Sequence, residues 1–121
     1  MIAVVDDEES VRKALRRLFA AFDLEATTFA SGRAFLDTLA ERRPDCLVLD
    51  LQMRAPNGFD VLAELAASGI RLPVVIITAH DEPETRARCL SAGAAAYLSK
   101  PVNDRELLDA IATAIAGAPS R

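Results

Sequence analysis

Cys46-Leu47-Val48-Leu49-Asp50 is a short apolar run that ends on an acidic residue, and the same pattern recurs along the chain. Ile2-Ala3-Val4-Val5 runs into Asp6 and Asp7, Val74-Val75-Ile76-Ile77 into Thr78, and Ala95-Ala96-Tyr97-Leu98 into Ser99 and Lys100. Runs this short, bounded by polar residues, read as strands buried on both faces. A fifth segment, residues 24–29, mixes Glu25, Thr27 and Thr28 with apolar neighbours, which suits an edge strand. Between the strands the periodicity becomes helical: Val11, Leu15, Leu18 and Phe22 in the first interval, Leu107, Leu108, Ile111 and Ile115 in the last. Ser31 is placed to cap a helix reaching residue 39, Asn57 to cap one over residues 58–67, and Pro83 suits a first helical turn. Gly69 and Gly93 stand where helices should stop. Strand and helix thus alternate as (βα)5. Right-handed crossovers lay the helices on both faces of a parallel sheet, giving a doubly wound α/β three-layer sandwich. With residues 24–29 at an edge the strand order is 2-1-3-4-5, and ligands bind beyond the carboxyl ends where the winding reverses.

The chain has 121 residues, 51% apolar and 26% charged, which predicts one packed domain over residues 1–117, with 118–121 a C-terminal tail or the start of a linker. A net charge of −4 argues against direct nucleic-acid binding. No apolar run approaches the roughly 20 residues of a membrane-spanning helix. The first residues carry no basic leader, and the expected location is the cytoplasm, without membrane contact. Cys46 and Cys89 match no metal or redox spacing and read as reduced, buried fillers.

The residues that follow the strands carry the chemistry. Asp6, Asp7, Asp50, Thr78 and Lys100 converge on one edge of the sheet. Carboxylates gathered there repel unless a cation joins them, and oxygen ligands suit a hard ion such as Mg²⁺. Lys100 can pair with an ionised carboxylate or with a phosphoryl group, and Thr78 offers a hydroxyl. A carboxylate nucleophile, a divalent cation, a fixed positive charge and a hydroxyl together make a phosphoryl-transfer site with Asp50 as nucleophile.

Val4-Val5-Asp6-Asp7-Glu8, Val48-Leu49-Asp50-Leu51-Gln52-Met53, Ile76-Ile77-Thr78-Ala79 and Ser99-Lys100-Pro101 resemble the four signatures of response-regulator receiver domains, in order and over essentially the whole chain. His80, two residues after Thr78, is similar to the FixJ-like branch of this CheY-like, flavodoxin-like group. The resemblance implies that Asp50 takes a phosphoryl group from a histidine kinase or histidine phosphotransfer protein. It implies that Asp7, Asp50 and the Gln52 main-chain carbonyl hold Mg²⁺, with Asp6 nearby through water, and that Lys100 and Thr78 contact the phosphoryl oxygens. The domain then catalyses its own Mg²⁺-dependent phosphorylation and dephosphorylation without being an enzyme in its own right. Tyr97 matches the aromatic switch position, expected to turn inward as Thr78 moves. The fourth helix, fifth strand and fifth helix form the output face, toward a phosphorylation-dependent homodimer or a downstream protein. Gln52, His80 and Arg54 are candidates to modulate the rates. One departure stands out: Arg54 and Ala55 occupy positions where the family usually has proline and glycine, and Pro56 comes two places late. The loop is expected to differ in shape, with Arg54 reaching the phosphate or covering the pocket.

Plainer readings stand beside these. Asp6 and Asp7 alone would serve as caps of the first helix, Thr78 as a strand-end hydroxyl, Lys100 as an exposed turn residue, and Tyr97 as core. Arg12, Lys13, Arg16 and Arg17 read as a solvated helix face. A haloacid-dehalogenase-type hydrolase wants aspartate where Gln52 stands, and a flavodoxin-like cofactor binder wants a phosphate loop where Asp6 and Asp7 stand. The remaining alternative is a scaffold that keeps the receiver fold but signals without phosphorylation.

Overall fold

The apolar runs form the strands of one parallel sheet in the computed structural model, which describes residues 1–117; the expected tail at 118–121 lies outside the described residues. In chain order the elements are β1 (Ile2–Val5), α1 (Glu9–Ala21), β2 (Ala26–Phe29), α2 (Gly32–Leu36), β3 (Cys46–Asp50), α3 (Gly58–Ala67), β4 (Val74–Thr78), α4 (Pro83–Ser91), β5 (Ala96–Ser99) and α5 (Asp104–Ala116). The strand order is β2-β1-β3-β4-β5, as expected, and every pairing is parallel. β1, β3 and β4 are buried throughout, whereas every residue of β2 is half-buried, the mark of an edge.

Side chains alternate across each strand, so the sheet feeds two cores. Ala3, Val5, Leu47, Leu49, Val74 and Ile76 pack with Phe35, Val61, Leu62, Leu65 and Cys89 from α2, α3 and α4. Ile2, Val4, Cys46, Val48, Val75 and Ile77 pack with Leu15 and Phe19 of α1 and with Leu107 and Ile111 of α5. Both cysteines are free and buried, and burial pushes the Cys46 thiol up to about 12, so neither is poised to react.

Three helical expectations need correction. Phe22 is not on the buried stripe of α1: it is the C-cap residue, off helical geometry and 59% exposed, while Phe19 one turn earlier is fully buried. In α5 the inward residue of the last turn is Ala114, and Ile115 is largely exposed. α2 ends at Leu36 rather than residue 39, because the N–H groups of Thr38 and Leu39 bond only three residues back and the Thr38 hydroxyl also takes the Phe35 carbonyl. The helical ladder cannot propagate past such a turn.

Asn57 caps α3 with a reciprocal box: its side chain accepts the Asp60 N–H at 3.0 Å and its own N–H donates to Asp60 at 2.8 Å. Replacing Asn57 with alanine is expected to cost about 1 kcal/mol in urea denaturation. An unchanged midpoint would show that the cap contributes nothing net.

Candidate functional site

Each strand of the central trio, and β5 beside them, delivers one functional group at its carboxyl end. Asp6 follows β1, and its N–H is held by the Phe29 carbonyl of β2 at 3.2 Å. Asp50 is the last residue of β3 and Thr78 the last of β4. Lys100 follows β5, its N–H fixed on the Thr78 carbonyl at 2.7 Å. The sheet therefore sets the spacing, and loop geometry sets the detail.

The Lys100 ammonium lies 3.0 Å from Asp6 Oδ2, 3.3 Å from Asp50 Oδ1 and 3.4 Å from Glu8 Oε1. Asp6 is fully buried and Asp50 only 2% exposed, so this cation stands at the floor of the pocket. Burial, then the neighbouring Asp6 charge, pushes the Asp50 carboxyl up to about 6; Lys100 opposes the rise and Asp7 adds to it. Burial would lower the Lys100 ammonium, but the Asp6 and Asp50 carboxylates outweigh it and hold it above the usual lysine range. Oxygen atoms of Asp6, Asp7 and Asp50 all lie within 4.8 Å of one another. Three carboxylates against one ammonium leave the pocket negative, and an all-oxygen donor set of this size fits a hard divalent cation.

Thr78 is fully buried. Its hydroxyl donates to Gln52 Oε1 at 2.6 Å and accepts the His80 N–H at 3.0 Å. The His80 carbonyl in turn accepts the Tyr97 hydroxyl at 3.4 Å. Tyr97 already lies inward, with burial raising its phenol, while Thr78 is still bonded to Gln52. Arg86 of α4 stacks on the Tyr97 ring at 5.5 Å.

Arg54 is exposed, and the loop that carries it is braced from below. Pro56 rests on the start of α2, where a Cβ on Gly32 would stand 2.9 Å from the Pro56 carbonyl oxygen. Gly58 closes the same loop: its N–H donates to the Leu51 carbonyl at 3.1 Å, and a Cβ there would meet the Leu51 Cα at 2.8 Å. The displaced proline thus has a seat of its own next to the acceptor strand.

The family model for the response regulator receiver domain matches residues 2–112. The chain belongs to that family. Among its relatives, the response regulator protein TmoT of Ectopseudomonas mendocina is 34% identical over 100% of this chain and 55% of its own length. The crystal structure of a response regulator receiver protein from Burkholderia phymatum superposes with a TM-score of 0.84 at 43% identity, covering 98% of each chain. The crystal structure of FixJ-N gives a TM-score of 0.90 at 30% identity, covering 99% of this chain and 96% of that one. The chain spans about half the length of the curated relatives it matches. It is a receiver domain of the two-component response-regulator type. Its acidic cluster is the kind of pocket at which receivers bind Mg²⁺. Among the described residues no helix is long and apolar enough to cross a membrane.

The structure brings Asp6, Asp7, Asp50 and Lys100 together, with Thr78 on the neighbouring strand end, as the sequence reading expected. Three contacts were not foreseen there. Glu8 adds a third carboxylate to Lys100, the Gln52 amide takes the Thr78 proton, and Arg12 donates to the Asp6 main-chain carbonyl at 2.7 Å rather than lying free on a solvated face. Arg12 lies in the first turns of α1, six residues after Asp6, and no periodicity in the sequence signals this contact.

Proposed function

We propose that this receiver, residues 1–117, accepts a phosphoryl group on Asp50 from a histidine kinase or a histidine phosphotransfer protein in the cytoplasm. The observation that carries the reading is the Lys100 ammonium held between two buried carboxylates, 3.3 Å from Asp50. The Asp50 carboxylate forms the new O–P bond as the donor's N–P bond breaks, and the donor nitrogen keeps the electron pair. Lys100 and the Thr78 hydroxyl then face the added oxygens, replacing ground-state partners with charge-assisted hydrogen bonds. Asp7, Asp50 and the Gln52 main-chain carbonyl would hold Mg²⁺, with Asp6 behind them through water. That ion, when bound, supplies the charge neutralisation that three carboxylates and a phosphoryl group require.

The phosphoryl group adds about two negative charges at one end of the sheet. Thr78 and Tyr97 are the proposed switch residues, leading to the face of α4, β5 and α5 and to a homodimer or downstream protein. α4 suits such a role because Cys89 is its only buried residue. Gln52, His80 and Arg54 are proposed to set the rates of the Mg²⁺-dependent reactions. The domain is a phosphoacceptor and not a separate catalyst, without direct contact to nucleic acid or membrane.

Intact-mass measurement after incubation with acetyl phosphate tests the reading. A phosphoryl-sized gain that needs Mg²⁺ and maps by fragmentation to Asp50 is the expected result. No gain with acetyl phosphate or with a phosphohistidine donor would leave the fold as a scaffold.

A further inference from the structure

We propose that the Gln52 side chain is a resting-state latch, which holds the one hydroxyl proton that Thr78 would need for a phosphoryl group. The inference deepens the phosphoacceptor reading of Asp50 and rests on it. A threonine hydroxyl has one proton to donate and two lone pairs to accept with. With the His80 N–H donating to Thr78 Oγ1 at 3.0 Å, the Thr78 proton goes to Gln52 Oε1 at 2.6 Å in preference to the His80 carbonyl, which is farther at 3.4 Å. That proton is therefore committed at rest. It can go to Gln52 or to a phosphoryl oxygen on Asp50, but not to both.

Competition of this kind produces a two-position element. Thr78 is β-branched and fully buried, so leaving Gln52 means a change between discrete rotamers rather than a drift. The departure is also transmitted. The main chain of His80 is held by Thr78 through its N–H and holds the Tyr97 hydroxyl through its carbonyl at 3.4 Å. A Thr78 that rotates away loosens the main chain on one side of His80 and changes what Tyr97 bonds to on the other. Gln52 thus stands at the site end of a chain that runs through Thr78 and His80 to the face of β5. Its exposed side chain makes it a positioning residue, and its main-chain carbonyl survives any side-chain replacement.

The test is a double-mutant cycle on wild type, Gln52→Met, Thr78→Val and the double variant. Met matches the length of glutamine without a strong acceptor, and valine is isosteric with threonine. In buffer free of Mg²⁺ and phosphate, urea unfolding should show the two sites coupled by about fivefold in the unfolding equilibrium constant, as one net hydrogen bond implies. Beryllofluoride with Mg²⁺, a phosphoryl mimic on a carboxylate, should bind Gln52→Met about fivefold more tightly than wild type, because no latch opposes it. In the Thr78→Val background the Gln52 replacement should change beryllofluoride affinity no further.

Coupling below about twofold in the unfolding cycle overturns the latch whatever beryllofluoride does. Equal beryllofluoride affinity of wild type and Gln52→Met overturns it as well, since the bond would then be structural and not in competition. A wild type that binds no beryllofluoride fails differently: it overturns the phosphoacceptor reading, and the competition falls with it.

Discussion

Replacing Asp50 with asparagine is expected to abolish phosphoryl uptake and, in Mg²⁺-free buffer at about pH 8, to stabilise the fold by about 3 kcal/mol. The two effects have one cause. Asp50 is buried beside Asp6 and near Asp7, and Lys100 only partly offsets them, so its carboxyl keeps its proton up to about pH 6 instead of releasing it near the ordinary 3.8. The folded state therefore binds a proton that the unfolded chain has already lost. Its contribution is most favourable below about pH 3.8 and is lost as pH rises through about 6, and the gap between those values corresponds to about 3 kcal/mol. Asparagine has no charge to desolvate and removes the repulsion. Urea denaturation of both proteins at about pH 8 and about pH 4.5 should thus show a large difference at the first and a small one at the second. A difference independent of pH would mean that packing, not charge, separates them. Saturating Mg²⁺ should close part of the gap at pH 8, because the wild-type cluster gains a counter-ion that the variant binds less well; a hundredfold excess over Kd is worth about 2.7 kcal/mol.

The arrangement of these groups was legible in the sequence because strand ends are topological facts. Once residues 2–5, 46–50 and 74–78 read as neighbouring parallel strands, Asp6, Asp50 and Thr78 had to meet at one edge, and Lys100 had to come in beside Thr78. Helix faces were less legible. Leu15 leads to Phe19 by four residues and Leu18 leads to Phe22 by the same step, so spacing alone does not say which phenylalanine goes inside. The helix ends between them: Phe22 has left helical geometry, and Asp23 takes a positive φ of 57° to turn the chain toward β2. The same ambiguity at the last turn of α5 gave Ile115 a place that Ala114 fills.

Side-chain partners across loops were not legible at all. That Glu8 reaches Lys100, that Gln52 takes the Thr78 proton and that Pro56 seats on Gly32 depend on rotamers and loop paths that no local pattern encodes. The family resemblance pointed to Gln52 as a position that matters, but through its main chain and its effect on rates. Its side-chain hydrogen bond to Thr78 depends on a rotamer that the sequence does not encode. Gly58 held a readable signal that was read only as the start of a helix: a glycine there often marks a close backbone approach, here to Leu51 next to the acceptor.

Lys100→Met should have the largest effect on the fold, a loss of about 3–5 kcal/mol at about pH 8 without Mg²⁺. Lys100 is the one ammonium within 3.0 Å of Asp6 and 3.3 Å of Asp50, and a methionine of similar length leaves both carboxylates buried and facing each other. The Asp50 carboxyl should then titrate above its present value of about 6, since the first charge that holds it down is gone. The loss should shrink toward about pH 4.5, where a proton on Asp50 does part of the work of the missing cation. Adding Asp50→Asn should recover much of the stability, and the cycle formed by the two replacements would report a coupling, because the residues are in contact. Phosphoryl uptake from acetyl phosphate should fall by on the order of a hundredfold in Lys100→Met, the scale expected when one donor to the developing charge is removed. Lys100→Arg separates the two functions: it restores positive charge to Asp6 and so most of the stability, while its planar fork cannot take the place of a compact ammonium between three carboxylates. If Lys100→Met instead proves as stable as wild type at pH 8, the buried carboxylates are not ionised together, and the charge balance argued for this pocket is wrong.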